Sequence, residues 1–87
     1  MIDKVKKYLK NIVATHPKYE ARRIIRNLVD HPDLTQIEQW LIYYAFAEQR
    51  MVANTCDKLG LGECDYHFKK KLALTKLYYI LELNKTA

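Results

Sequence analysis

Residues 51–77, MVANTCDKLGLGECDYHFKKKLALTKL, read as two helices around a tight turn at Gly60. The first, about Val52 to Leu59, is short and closes on Leu-Gly, the pair found where a chain must leave a helix through a left-handed residue. The second runs from Glu63 to about Leu83. It opens on mixed polar residues, passes through Lys69, Lys70 and Lys71, and then carries one apolar strip, Ala73, Leu74, Leu77, Ile80 and Leu81. A short helix, a glycine turn and a longer helix with a free polar front form a helix-turn-helix. The middle of the first helix must be small where the second crosses it, and Cys56 fits. Gly60 supplies the positive φ, and Leu59, Leu61 and Tyr66 stand where apolar residues lock the pair. Two positions depart from the pattern. Gly62 replaces a hydroxyl N-cap, and Lys69 stands where an apolar residue is usual. Either Lys69 lays its methylenes along the core with its charge outside, or Phe68 takes the buried place by a small rotation of the helix.

Upstream, Thr35 and Glu38 have the spacing of a capping box and predict a third helix from there through Gln49. Its Ile37, Trp40, Leu41, Tyr44, Ala45 and Phe46 make a stripe bulky enough for the central pillar of a core. Ile2, Val5, Leu9, Ile12 and Val13 recur at helical steps with Lys4, Lys6, Lys7 and Lys10 on the remaining face. Pro17 ends that helix near Thr15 and His16 and opens a second to Val29, with Ala21, Ile24, Ile25 and Leu28 inward and Arg22, Arg23 and Arg26 outward. His31 and Pro32 end it, and both His16 and His31 sit where a cation favours a helix C-terminus. The expected fold is an all-α five-helix bundle with a C-terminal helix-turn-helix and a long last helix. It forms one domain, 1–87, with basic N-terminal helices over 1–33 and the helix-turn-helix core over 34–83.

Composition agrees. The chain has 87 residues, 49% hydrophobic, with two Gly and two Pro, which favours a helical bundle over disorder or a β-sandwich. A domain this small has a marginal core, so dimerisation would add useful stability. The net charge of +5 suits a polyanionic partner. Residues 1–29 hold eight Lys and Arg against two Asp and Glu, 30–50 one against four, and 51–87 six against four, so an acidic middle separates two basic ends. No apolar run approaches the roughly 20 residues needed to cross a bilayer, and the start lacks the apolar stretch of a signal peptide, so a soluble cytoplasmic protein is expected. Cys56 and Cys64 are too few for a disulfide framework and are read as reduced thiols.

The stretch CDKLGLGECDYHFKKKLALTKL resembles the C-terminal promoter-reading region of bacterial sigma factors, with its small residue, Leu-Gly, turn and closing Ala-Leu-x-Lys-Leu over Ala73 to Leu77. It also resembles the ArpU or RinA-like phage transcriptional regulators of Gram-positive bacteria, which are closer in size and in the Tyr and Lys content of the last helix. Either resemblance covers roughly Ile37 to Leu83. It implies a sigma-region-4-like domain acting on phage or prophage promoters, with double-stranded DNA as partner and RNA polymerase or a second copy of the chain alongside. By that resemblance and by groove geometry, Glu63, Cys64, His67, Phe68 and Lys71 would face the bases. Glu63 could accept from cytosine, Lys71 donate to guanine and Phe68 rest on a thymine methyl. Asn54, Thr55, Lys69 and Lys70 would touch phosphates.

Other chemistries fit less well. A charged helix face is often only solvated. The acidic Glu63 and Asp65, with Gly62 and Phe68, make the last helix less basic than a typical recognition helix, which favours a rival reading as a protein-interaction module binding RNA polymerase, a nuclease or itself. Cys56, Cys64 and His67 match no zinc-finger spacing, so no metal or cofactor is expected. His67 could serve Cys64 as a base, but nothing supplies a substrate pocket or oxyanion donors, and no enzyme activity is expected. The lysine face of helix one, with Arg22, Arg23 and Arg26, could meet DNA backbone, RNA or an anionic membrane. Membrane ranks last because interfacial Trp and Phe are missing.

Overall fold

Pro17 sets the first corner. The residue before a proline is pushed out of helical geometry, and His16 is extended at φ −125° and ψ 153°. The chain therefore leaves α1 (Ile2–Thr15) and re-enters α2 (Lys18–Val29) with Pro17 as the flanking residue. Side chains add donors to two carbonyls in the last turns of α1, of which that of Ile12 is among those left without a backbone partner inside the helix. Thr15 Oγ1 donates to Asn11 O at 2.8 Å, and His16, in its Nδ1-protonated form, donates to Ile12 O at 2.9 Å. These come from the computed structural model, which describes residues 1–83; residues 84–87 of the single-domain reading lie outside it.

The capping box forms as its spacing implies. Thr35 Oγ1 accepts from the Glu38 amide at 3.2 Å, and Glu38 Oε1 accepts from the Thr35 amide at 2.9 Å. The helix it starts is not uniform. α3 (Gln36–Ile42) passes into a π-helical turn, Tyr43–Ala47, instead of continuing as α-helix to Gln49. The buried residues explain the change. Leu41 and Ile42 are buried, and so are Phe46 and Ala47, five positions later. α-Helical steps of four from Leu41 and Ile42 would set Ala45 and Phe46 on the core side. The wider turn moves the buried pair on by one, to Phe46 and Ala47, and leaves Ala45 half-buried. Of the expected central stripe, Leu41 and Phe46 are buried, Ile37 is exposed, and Trp40 and Tyr44 are half-buried. The two rings stack at 5.5 Å between centroids, with Arg26 over Trp40 and Arg50 and Lys58 over Tyr44. Cations cover this aromatic pair.

α4 (Val52–Leu59) and α5 (Glu63–Ile80) complete an all-α bundle of five α-helices among the described residues. α5 packs on α1 and α3 through Tyr66, Ala73, Leu74 and Leu77, while α2 packs on α1 and the π turn. The last helix ends at Ile80, short of the expected Leu83. Glu82 takes a left-handed φ of 57°, and this turn swings Leu83 into the core. A continued helix would have carried Leu83 to the solvent side. Lys4 of α1 donates to the Leu83 carbonyl at 2.9 Å. Among the described residues no helix is long and apolar enough to cross a membrane.

Glu38 joins the ends of this arrangement. It is almost wholly buried, and its Oε1 also accepts from Lys76 Nζ of α5 at 2.8 Å. Burial alone would raise its pKa, but the Lys76 hydrogen bond and the Thr35 contacts outweigh it and hold the carboxyl below its ordinary value. A carboxyl lowered on folding contributes stability above its unfolded value of about 4.3 and loses it as pH falls through the folded value. Glu38→Gln keeps a capping side chain and loses the charge, so it should cost about 1–3 kcal/mol at neutral pH. Urea melts of wild type and variant should converge as pH falls through and below the ordinary carboxylate range.

Candidate nucleic-acid interface

Gly60 is left-handed, at φ 67° and ψ 35°, and its amide and that of Leu61 both return to the Cys56 carbonyl. Gly62 then flanks α5 at φ −76° and ψ 163° with no side-chain cap. Glu63 and Asp65 in the first turn complement the positive end of the helix dipole in its place. The turn is therefore built as the sequence implies. What lies beneath α5 is one residue displaced. Thr55 is fully buried, its Oγ1 donating to Met51 O at 3.2 Å, whereas Cys56 is half-buried with its Sγ 4.0 Å from Gly62 O. Thr55 is thus the small residue under the crossing, and it cannot reach a phosphate. That expectation fails because α4 is rotated by one position.

The other expected contact residues divide by face. Glu63, Cys64, His67, Phe68 and Lys71 are all exposed along the front of α5, and the Glu63 carboxylate lies 3.7 Å from His67 Nε2. Asn54 is exposed on α4, where its side-chain oxygen accepts from Arg50 at 2.7 Å. Arg50 also pairs with Glu48. Phe68 does not take the buried place: it is 68% exposed, and Lys69 is the half-buried one. Lys70 is half-buried too and turns away from the front. Its Nζ lies over the rings of Phe46 and Tyr66 and faces Lys6 and Lys10 of α1.

Lys6 and Lys10 are the residues that reading α4 and α5 alone left out. Their signal is the lysine face of α1, Lys4 to Lys10, nearly two helical turns long, but only the packing of α1 on α5 shows which lysines of that face join Lys70. A basic band results. His67 and Lys71 line a depression with Lys70 and Lys6, and Lys6 and Lys70 continue into a second one with Lys10. None of these four lysines forms an ion pair among the described residues.

Cys56 and Cys64 are both free thiols, and burial, then the carboxylates of Glu63 and Asp57, push the Cys56 thiol above its ordinary pKa. Among the described residues no three His, Cys, Asp or Glu side chains gather as a metal site. No protein-family model, curated protein or solved structure matches this chain.

The two glycines of the turn should respond differently to substitution. A Cβ at either position meets nothing within 4 Å, so only backbone preference decides. Gly60→Ala should destabilise by about 1 kcal/mol because of its left-handed φ. Gly62→Ser should be neutral or more stable by a few tenths of a kcal/mol through a gained cap, as chemical denaturation can measure.

Proposed function

We propose that this chain is a DNA-binding transcriptional regulator whose α4–α5 helix-turn-helix places the front of α5 in the major groove, like the sigma-region-4 and ArpU or RinA-like proteins it resembles. The observation that carries this reading is the basic band from His67 and Lys71 through Lys70 and Lys6 to Lys10, whose four lysines pair with no carboxylate among the described residues and which is continuous with the exposed front of a glycine-hinged helix. Long-range attraction for a duplex comes from phosphate neutralisation, and a band beside a protruding helix suits the phosphates that flank a groove. On the helix front, Lys71 is the donor suited to guanine, Glu63 the acceptor suited to cytosine, and Phe68 the apolar group suited to a thymine methyl. Asn54 and the half-buried Lys69 are assigned to the phosphate backbone, Asn54 from a position already braced by Arg50.

Random-site selection followed by gel shift tests this. A preferred duplex should emerge, Lys71→Ala should relax preference at one base pair by about 1–3 kcal/mol, and affinity should fall steeply with salt. Binding indifferent to both salt and Lys71 would refute the reading.

One observation favours a second reading, a protein-interaction module. Phe68 is 68% exposed, and Leu72, one turn on, is 42% exposed on the same side. Glu63 and Asp65 precede Phe68, whereas Lys69 and Lys71 come after it. An antiparallel second copy centred on Phe68 would set acids against lysines on both flanks. Sedimentation should then show a concentration-dependent dimer that Phe68→Ser abolishes; a monomer at all concentrations would exclude self-association.

A further inference from the structure

The groove between α1 and α5 has a construction of its own. Lys6 and Lys10 stand one turn apart on α1, and Lys70 reaches towards them from α5. The groove holds about 600 Å³, with Val13, Ala14, Ala45 and Phe46 on its walls and floor and Gln49 at its rim. We propose that it is a phosphate-binding site, in which the Lys6, Lys10 and Lys70 ammonium groups hold phosphate oxygens above the Phe46 ring.

Three features point to an anion and to phosphate in particular. Like charges are gathered without a carboxylate among the described residues, although the same fold pairs Lys76 with Glu38, Arg50 with Glu48 and Arg23 with Glu20. Burial, and then repulsion from Lys6 and Lys10, holds Lys70 below the ordinary lysine pKa, a condition that an oxyanion between the three would relieve. The backbone beside the groove is also unusual. It is formed by the π turn and by Gln49, a non-glycine residue with a left-handed φ of 53°, and both features concentrate at binding sites. Gln49 adds an amide donor at the rim. Three ammonium donors gathered on one groove match a multiply charged oxyanion better than a single carboxylate, and the apolar lining leaves room for the rest of the ligand.

The phosphate has two sources of the same chemistry: the phosphodiester backbone of a duplex on α5, or a free phosphate or phosphomonoester. The first rests on the DNA-binding reading and the second does not. Amide NMR spectra of the full chain, titrated with inorganic phosphate, with pyrophosphate and with a mixed-sequence duplex against chloride of matched ionic strength, separate them. Saturable shifts are expected at Lys6, Lys10, Gln49 and Lys70, absent in Lys70→Met and in the double variant Lys6→Gln with Lys10→Gln, and kept in Lys18→Gln. Lys70→Met should melt no lower than wild type, because it removes a repelled charge; a purely structural lysine would leave a less stable fold.

If the duplex shifts the same amides, and the double variant lowers the salt slope of duplex binding by about two, the backbone is the source. If phosphate or pyrophosphate saturates the groove while no duplex binds, the site stands and the DNA-binding reading fails. A duplex that binds through α5 while the groove amides stay still with duplex, phosphate and pyrophosphate alike, and while the double variant binds as wild type, overturns the groove proposal and leaves DNA binding intact; if phosphate or pyrophosphate alone moves them, the free anion is the source. The proposal is also overturned if neither phosphate nor duplex moves these amides more than chloride does.

Discussion

Glu38 is the point through which the two halves of this chain are held in register. Its carboxylate oxygen accepts the Thr35 amide that starts α3 and the Lys76 ammonium that fixes the second half of α5. A buried carboxylate is costly unless its charge is matched and its lone pairs are used. Glu38 is matched only when α3 and α5 lie against each other at one rotation. That rotation places Tyr66, Ala73, Leu74 and Leu77 inward and leaves the opposite side of α5, with Cys64, Phe68 and Lys71, uncovered. Lys76 is half-buried and snorkels, so the pair keeps one solvated end, and the fold avoids the full penalty of an internal ion pair.

The π turn acts on the other side of the same core. By spacing the buried pairs Leu41–Ile42 and Phe46–Ala47 five residues apart, it brings the Phe46 ring under Lys70. It also leaves Trp40 and Tyr44 as a stacked pair beneath cations from three different segments. Cations among the described residues thus meet carboxylates, aromatic faces, neutral amide oxygens and, in the α1–α5 groove, chiefly one another. The last is the arrangement that calls for something outside the chain, and it lies beside the exposed front of α5. The proposed duplex face and the proposed phosphate groove are therefore neighbours that share Lys6 and Lys70.

Much of the bundle was legible in the residues because its signals are local. Pro17, the Thr35–Glu38 box and Gly60 each act within one turn of backbone, and each does what its type requires. The apolar steps of α1 and α2 needed only periodicity. Expectations failed where a choice between adjacent positions depended on another segment. Thr55 and Cys56 are both small, and only the line along which α5 crosses decides that Thr55 goes under. Ile37 belonged to the expected stripe and is exposed, because its neighbour Glu38 takes the inward place, where it meets Lys76.

Read as residues alone, the chain already carries its helix count, the turn at Gly60, the capping box and the uneven charge, since each rests on backbone preference or composition. Which helix faces meet was settled only by packing. Packing paired Glu38 with Lys76, buried Thr55, turned Leu83 back into the core through Glu82 and brought Lys6 and Lys10 to Lys70. Such contacts join residues far apart in the chain. Their geometry is set by filling one small core, which no local propensity encodes.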